Sequence, residues 1–154
     1  MRRKRVFNRE ILPDPKYQNL VMAKFINRLM TGGKKSVAQK VFYDACDIIV
    51  KQQKDPLQVF DEAIKNVSPM VEVKSKRIGG ANYQVPREVR GERRLSLAIR
   101  WIIGVSQSKK GKPMSEKLAE ELLLAAKNEG TAIKKKLDMH RMADANKAFA
   151  HFAW

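Results

Sequence analysis

The sequence predicts a mainly α fold, a six-helix bundle with one projecting antiparallel β-hairpin. Along most of its 154 residues, apolar side chains recur every three or four positions, the spacing of the buried face of a helix. Gly-Gly, Asp-Pro and Ser-Pro pairs separate these stretches. Residues 70–90 instead alternate apolar and polar side chains around Gly79-Gly80, the period of a β-strand. No linker is long enough to divide the chain, so we expect a single domain over 1–154.

An extended arm precedes the first helix. Residues 1–17 contain Pro13-Asp14-Pro15 and show no sustained periodicity. The chain is also basic here: residues 1–40 hold eleven Lys or Arg and two acids, a net charge of +9. We expect 1–17 to form a basic extended arm that stays disordered until a partner neutralises its charge.

Six helices are expected in chain order, at about 18–31, 36–53, 56–67, 92–108, 115–130 and 131–150. Asp55 and Ser115 are the expected N-caps of the third and fifth helices, because their side-chain oxygens can accept hydrogen bonds from first-turn amides. Cys46 should be buried beside the second helix's apolar stripe, which is predicted to be Val37, Val41, Phe42, Ala45, Ile48 and Ile49.

The hairpin at 70–90 has an uncertain turn. Loops of two, three or four residues all fit, and we prefer a three-residue loop, Gly79–Ala81, because it pairs Val71 with Val89. The same register sets Ser75 opposite Val85. Tyr83 has two interpretations of equal weight: it stacks on an unpaired base, or it packs across the ribbon.

Charge indicates the partner. The chain carries 32 basic and 16 acidic residues, a formal net charge of +16, which favours a polyanion. Residues 70–94 alone hold seven Lys or Arg against three Glu. A two-stranded ribbon is marginal in water and needs a partner, although charges on its edges can also serve only to prevent aggregation. No apolar run approaches the roughly 20 residues of a membrane span, so the pattern favours nucleic acid.

Candidate catalytic groups are few. The chain has two histidines and one cysteine and shows no acid-rich cluster, so we expect no catalytic residue, metal, cofactor or small-molecule substrate. His140 should bond to Asp144 one helical turn away. Gly33-Lys34 fails the spacing of a nucleotide-binding phosphate loop, because Arg28 stands where the first glycine is needed. The start of the second helix can still bind a backbone phosphate through its amides with Lys34 and Lys35.

Five segments, ILPDP, GGKKS, VEVKSKRIGG, YQVPREV and MADANKAFAH, resemble in order and spacing the universal small-subunit ribosomal protein seven family, bacterial type. The resemblance spans the chain. It implies a non-enzymatic constituent of the small ribosomal subunit, in the cytoplasm, that binds the 3′ major domain of small-subunit rRNA and nucleates assembly of the subunit head. It further implies a position near the exit-site tRNA and the mRNA exit path, and contacts with small-subunit proteins nine and eleven.

The resemblance also implies which residues bind. The tip of the hairpin would face tRNA and mRNA, through Gly79, Gly80, Ala81, Asn82 and Tyr83. The rRNA contacts would be Arg2, Arg3, Lys4, Arg5, Lys34, Lys35, Lys74, Lys76, Arg77, Arg93, Arg94, Lys109, Lys110 and Arg141. The tail His151-Phe152-Ala153-Trp154 departs from relatives that have a tyrosine and an arginine there, so no contact is carried over to it.

Two alternatives belong to other classes. A DNA-binding architectural protein could use the ribbon in a groove of the duplex, and competition by duplex DNA would reveal it. An RNA-modifying enzyme would need an active site that this sequence does not display. Modification or cleavage of labelled rRNA would reveal that activity.

Overall fold

The computed structural model describes residues 10–152. Short connections join its helices and strands, and the ribbon lies between the third and fourth helices. Within the described residues the elements are α1 Leu20–Leu29, α2 Lys35–Lys51, α3 Pro56–Val67, β1 Val71–Ile78, β2 Ala81–Glu88, α4 Gly91–Ser108, α5 Met114–Ala126, α6 Thr131–Ala145 and a 3₁₀ segment, Lys147–Phe152. The predicted mainly α fold with one antiparallel hairpin is confirmed.

The bundle is built around α5, which packs against α2, α3 and α4. Three phenylalanines from different helices meet at its centre: Phe25 of α1, Phe42 of α2 and Phe60 of α3, with ring centroids 5.4 to 5.8 Å apart. Each is at most 1% exposed. This core lies away from the ribbon and gives the binding elements a rigid support.

The arm ends earlier than predicted. Asp14 is only 2% exposed, and its carboxylate accepts hydrogen bonds from the amides of Lys16 and Tyr17 and from the hydroxyl of Tyr43 on α2. These bonds form a turn at 15–17 fastened to the bundle. The expectation of a disordered arm through Tyr17 is therefore wrong for residues 14–17, while residues 1–9 lie outside the described chain.

Helix α2 buries a face slightly rotated from the predicted one. Val37 is 56% exposed, whereas Ala38 and Cys46 are 5% and 1% exposed. The prediction for Cys46 is confirmed, and burial raises the pKa of its thiol to about 11. The prediction misplaced the stripe because Ala38 and Cys46, rather than Val37, share the face that buries Phe42, Ala45 and Ile49.

Of the two predicted N-caps, only Asp55 is observed. Asp55 accepts from the amide of Leu57 and begins α3, as predicted. Ser115 does not cap α5, which already begins at Met114, with the amide of Lys117 bonded to the carbonyl of Pro113. The predicted N-cap at Ser115 is therefore wrong, since the N-cap is Pro113, two residues earlier.

Helix α5 ends at Ala126 rather than at Gly130. Asn128 has a left-handed φ of +61°, and the amide of Glu129 returns to the carbonyl of Leu124 at 2.9 Å, a helix-ending arrangement. The side-chain amide of Asn66 on α3 also donates to the carbonyls of Ala125 and Ala126.

Helix α6 also stops early. Asn146 donates from both its backbone and its side chain to the carbonyl of Met142, and the tighter 3₁₀ segment Lys147–Phe152 follows. The predicted helix to Ala150 is therefore divided in two. The 3₁₀ segment turns its aromatic rings toward β2.

The hairpin has a two-residue turn. Gly79 and Gly80 have φ of +56° and +89°, as a type I′ turn requires, and Ile78 pairs with Ala81. The predicted three-residue loop is wrong, and Val71 pairs with Glu88 instead of Val89. The predicted register would have placed Glu72 opposite Glu88, whereas the observed one places Glu72 opposite Arg87, so it replaces repulsion with attraction.

Candidate nucleic-acid interface

A buried carboxylate organises the base of the ribbon. Glu72 of β1 is 6% exposed. Its Oε1 accepts from Nε and Nη2 of Arg87 on β2, at 2.9 and 2.6 Å, and its Oε2 accepts from Nε of Arg93 on α4, at 3.2 Å. Burial alone would raise the pKa of Glu72, but the hydrogen bonds from the two arginines outweigh it and hold the pKa below its usual value.

A groove of about 770 Å³ opens beside these groups, between the ribbon base and the start of α4. Four basic side chains line it, against two acidic ones. The basic residues are Lys74, Arg87, Arg90 and Arg93, and the acids are Glu72 and Glu88. The ribbon is fixed to α4 at this point, because Nε of Arg94 donates to the carbonyl of Val89 at 2.9 Å. The groove thus has an excess of positive charge on a rigid frame.

The outer half of the ribbon packs against the 3₁₀ segment. The ring of Tyr83 lies 5.1 Å from that of Phe149 and 5.6 Å from that of Phe152, between centroids. Lys76, the cross-strand neighbour of Tyr83, donates to the carbonyl of Phe152 at 3.1 Å. Tyr83 is thus partly buried rather than an exposed aromatic side chain, and its partners belong to neither sequence-based interpretation.

The turn projects beyond this support. Gly79, Gly80, Ala81 and Asn82 are all exposed, and a Cβ added at either glycine would meet nothing within 4 Å. Arg77 pairs with Asn82 just below the turn and is also exposed. The tip is therefore free to meet a ligand along four consecutive residues, while Tyr83 is held at its root.

The start of α2 is a second basic site. Lys34 and Lys35 are exposed, and Lys34 is the N-cap residue without a capping side-chain bond. The backbone reaches this point through Gly32 and Gly33, whose φ values are +60° and +75°. First-turn amides and two ammonium groups can therefore approach one phosphate here.

Lys109 and Lys110, in the loop between α4 and α5, differ in their surroundings. Nζ of Lys109 lies 2.9 Å from Oε2 of Glu121 and 3.6 Å from Oε2 of Glu120. Glu121 is completely buried, and its Oε1 accepts from the amide of Ala132 at the start of α6. The charge of Lys109 is thus directed inward against a structural carboxylate, whereas Lys110 is exposed.

Helix α6 contributes Arg141, which is exposed. Its neighbour His140 does not bond to Asp144 as predicted: Nε2 accepts from the amide of Met70, at 3.2 Å. Lys136, one turn earlier, donates to the carbonyl of Asn66. The prediction failed because α6 packs against β1, which brings the amide of Met70, the residue before that strand, within reach of the His140 ring.

The expected contacts therefore fall into several groups. Lys74, Arg93 and the unpredicted Arg87 and Arg90 meet at the groove, and Arg94 lies beside it on α4. Lys34 with Lys35, Lys110 and Arg141 stand on other elements. Arg2, Arg3, Lys4 and Arg5 lie outside the described residues. Arg87 could have been found from the sequence only with the correct register, which sets it opposite Glu72.

The comparisons with known proteins decide the family. The model of the family described as ribosomal protein S7p/S5e matches residues 1–147. The chain belongs to that family. It is 58% identical over 155 aligned residues to the small ribosomal subunit protein uS7 of Thermotoga neapolitana, with all of both chains covered. Identity is 56% to the uS7 of Desulfotalea psychrophila, covering 99% of each chain, and 55% to that of Teredinibacter turnerae, covering 98% and 97%.

Membership of the S7p/S5e family makes the chain a structural, non-enzymatic constituent of the small ribosomal subunit. The resemblance seen in the sequence is confirmed, as is the prediction that the chain is not an enzyme. Over residues 10–152, no three His, Cys, Asp or Glu side chains are grouped as a metal site would need. The helices of that same range are all too short or too polar to cross a membrane.

Proposed function

We propose that this S7p/S5e protein is a primary rRNA-binding protein that binds the 3′ major domain of small-subunit rRNA and nucleates assembly of the subunit head. The observation that carries the proposal is the distribution of cations over a rigid bundle. Exposed basic side chains stand on α2, the ribbon, the α4–α5 loop and α6. Lys34, Lys35, Lys74, Arg77, Lys110 and Arg141 form no ion pair with any described residue.

The mechanism follows from electrostatics. Phosphate contacts release counterions and supply affinity, while the fixed spacing of the basic elements selects the arrangement of RNA helices that can touch them together. Direct base recognition has a small part, because the RNA duplex hides its base edges in a deep, narrow groove. Binding would then hold two or more rRNA helices in the relation that the folded head requires.

The tip of the ribbon has a separate role in the proposal. Gly79–Asn82 extends past the contacts of Tyr83 and Lys76 with the 3₁₀ segment. We assign this tip, with Tyr83 at its root, to the neighbourhood of the exit-site tRNA and the mRNA exit path. The assembled protein would lie in the head of the cytoplasmic ribosome and contact small-subunit proteins nine and eleven.

Binding to a 3′ major domain rRNA fragment, measured by filter retention over a salt series, tests the main proposal. The logarithm of affinity should fall steeply with the logarithm of salt, by about 0.9 per phosphate neutralised if the duplex DNA coefficient applies. A flat salt response, or duplex DNA competing as well as the rRNA fragment, would contradict the proposal. Footprinting on the whole small-subunit rRNA then identifies the helices that are contacted.

A shortened ribbon tests the role of the tip. Deleting Arg77, Ile78, Ala81 and Asn82 leaves Gly79-Gly80 between Lys76 and Tyr83, which already pair with each other. The register and the aromatic contacts are preserved, so head assembly should be unchanged and rRNA affinity should fall by no more than the loss of the single Arg77 contact, while exit-site tRNA retention changes. Normal tRNA and mRNA handling by ribosomes carrying this variant would refute the assignment of the tip.

A further inference from the structure

Glu72 holds two arginines in place while leaving both partly in solvent. The side chain of Glu72 is 8% exposed, and those of Arg87 and Arg93 are 45% and 46% exposed. Each arginine uses a different carboxylate oxygen. The two guanidinium groups are therefore fixed on the side that faces the protein and accessible on the side that faces the groove.

Both guanidinium groups retain donors. Arg87 directs Nε and Nη2 toward Glu72, and Arg93 directs only Nε. A guanidinium carries about five N–H groups, so the opposite edge of each group remains available. A planar edge with parallel donors matches two oxygens of one phosphate, and both arginines line the same groove.

We propose that Arg87 and Arg93 form a clamp for backbone phosphate of RNA in this groove, with Glu72 as its positioning residue. The proposal rests on the proposed rRNA-binding function and adds a built phosphate site to it. We call Glu72, Arg87 and Arg93 the Glu72 clamp. Lys74 and Arg90 increase the positive potential around it.

Glu72 contributes by orienting the two arginines. Its negative charge, by itself, weakens their attraction for phosphate. An arginine on a flexible stem loses rotamer freedom when it binds a phosphate, and a group fixed beforehand loses less on binding. A negative charge near the ligand opposes phosphate binding, however. The clamp and a model based only on charge thus predict opposite effects when that charge is removed.

The decisive experiment compares Glu72→Gln with Glu88→Gln by filter binding to the 3′ major domain fragment. Glu88 lines the same groove but is exposed and forms no ion pair with a described residue. Both variants raise the formal net charge by one from +16. The clamp predicts about tenfold weaker binding for Glu72→Gln and equal or tighter binding for Glu88→Gln. Equal or tighter binding by both would overturn it.

A second variant guards against loss of the fold. Arg87→Lys keeps the charge and a partner for Glu72 but removes the planar edge. Its affinity should fall about fivefold to tenfold, with unchanged circular dichroism and an unchanged salt slope, since the number of cations is the same. Arg100→Lys, at an exposed position of α4 that does not line the groove, is the control and should bind as the wild type does.

The outcomes separate the two proposals. A wild-type protein that fails to bind the rRNA fragment at low salt would overturn the rRNA-binding function together with the clamp. Wild-type binding with Arg87→Lys at wild-type affinity would overturn the clamp alone, whether or not Glu72→Gln folds.

Discussion

The ring of Tyr83 on β2 lies 5.1 Å from the ring of Phe149 in the 3₁₀ segment, between centroids. A two-stranded ribbon has little stability of its own, and this contact supplies an apolar surface from outside it. The supports of the ribbon thus include the Glu72 carboxylate at its base and the aromatic rings near its tip.

Replacing Tyr83 with Ala should release the outer ribbon without unfolding the bundle, because the core phenylalanines lie elsewhere. The local opening free energy should fall by about 2 kcal/mol through lost ring contacts and apolar burial. Amide hydrogen exchange across β1 and β2 should accelerate, while the thermal midpoint of the bundle changes little. Asn82→Ala, at the exposed tip, serves as control, and identical exchange in the two variants would show that the aromatic contact is not a support.

Lys109 and Lys110 should differ in what their loss affects. Lys109→Ala leaves the buried Glu121 without its cation and should lower the free energy of unfolding by about 2 kcal/mol. Lys110→Ala should change it by less than about 0.5 kcal/mol while weakening rRNA binding. Urea unfolding and filter binding of both variants check this reciprocal pattern. Equal stability loss in the two would mean that the inward ion pair contributes nothing.

Acid should weaken the ribbon base through Glu72. The pKa of Glu72 in the folded state lies below its ordinary value of 4.5, so the folded state binds fewer protons than the unfolded state does. The stabilisation is complete above about pH 4.5 and is lost as the pH falls through the folded-state pKa. Exchange of the ribbon amides, measured as the pH is lowered, should show this loss in the wild type and a smaller one in Glu72→Gln. The same dependence of ribbon exchange on pH in the wild type and in Glu72→Gln would show that Glu72 is not the group responsible.

The turn should tolerate Asn at position 79 and reject Val. A Cβ at Gly79 would meet no atom within 4 Å, but its φ is +56°, a conformation that costs about 1 to 2 kcal/mol for most side chains. Asn adopts it readily in type I′ turns, whereas β-branched Val does not. Hydrogen exchange of the ribbon should therefore be near normal in Gly79→Asn and faster in Gly79→Val. Equal rates would indicate another turn type.

Periodicity and turn residues were sufficient to predict the order of the helices and the ribbon. Asp55-Pro56 marked the start of α3 correctly because the cap is local. The predicted register of the ribbon is wrong because it pairs apolar side chains and ignores the charges of Glu72, Arg87 and Glu88. The pairing of Glu72 with Arg87, which also defines the groove, was consequently missed.

Long-range partners account for the other errors. Nothing near His140 in the sequence indicates that its ring accepts from Met70, which is 70 positions away. The inward role of Lys109 depends likewise on Glu121, and that of Tyr83 on Phe149. Each of these side chains has a plausible local or solvent-exposed role, and only the packing of distant elements decides against it.

The 3₁₀ segment follows the ribbon in the chain, so the ribbon is synthesised before the residues that support it. Synthesis proceeds from the N-terminus, so both strands leave the ribosome before α4, α5, α6 and Lys147–Phe152 are made. Until then, the strands expose unpaired edges without the rings that later cover Tyr83. The lysines and arginines along them would prevent pairing with other nascent chains during the interval before the 3₁₀ segment packs against β2.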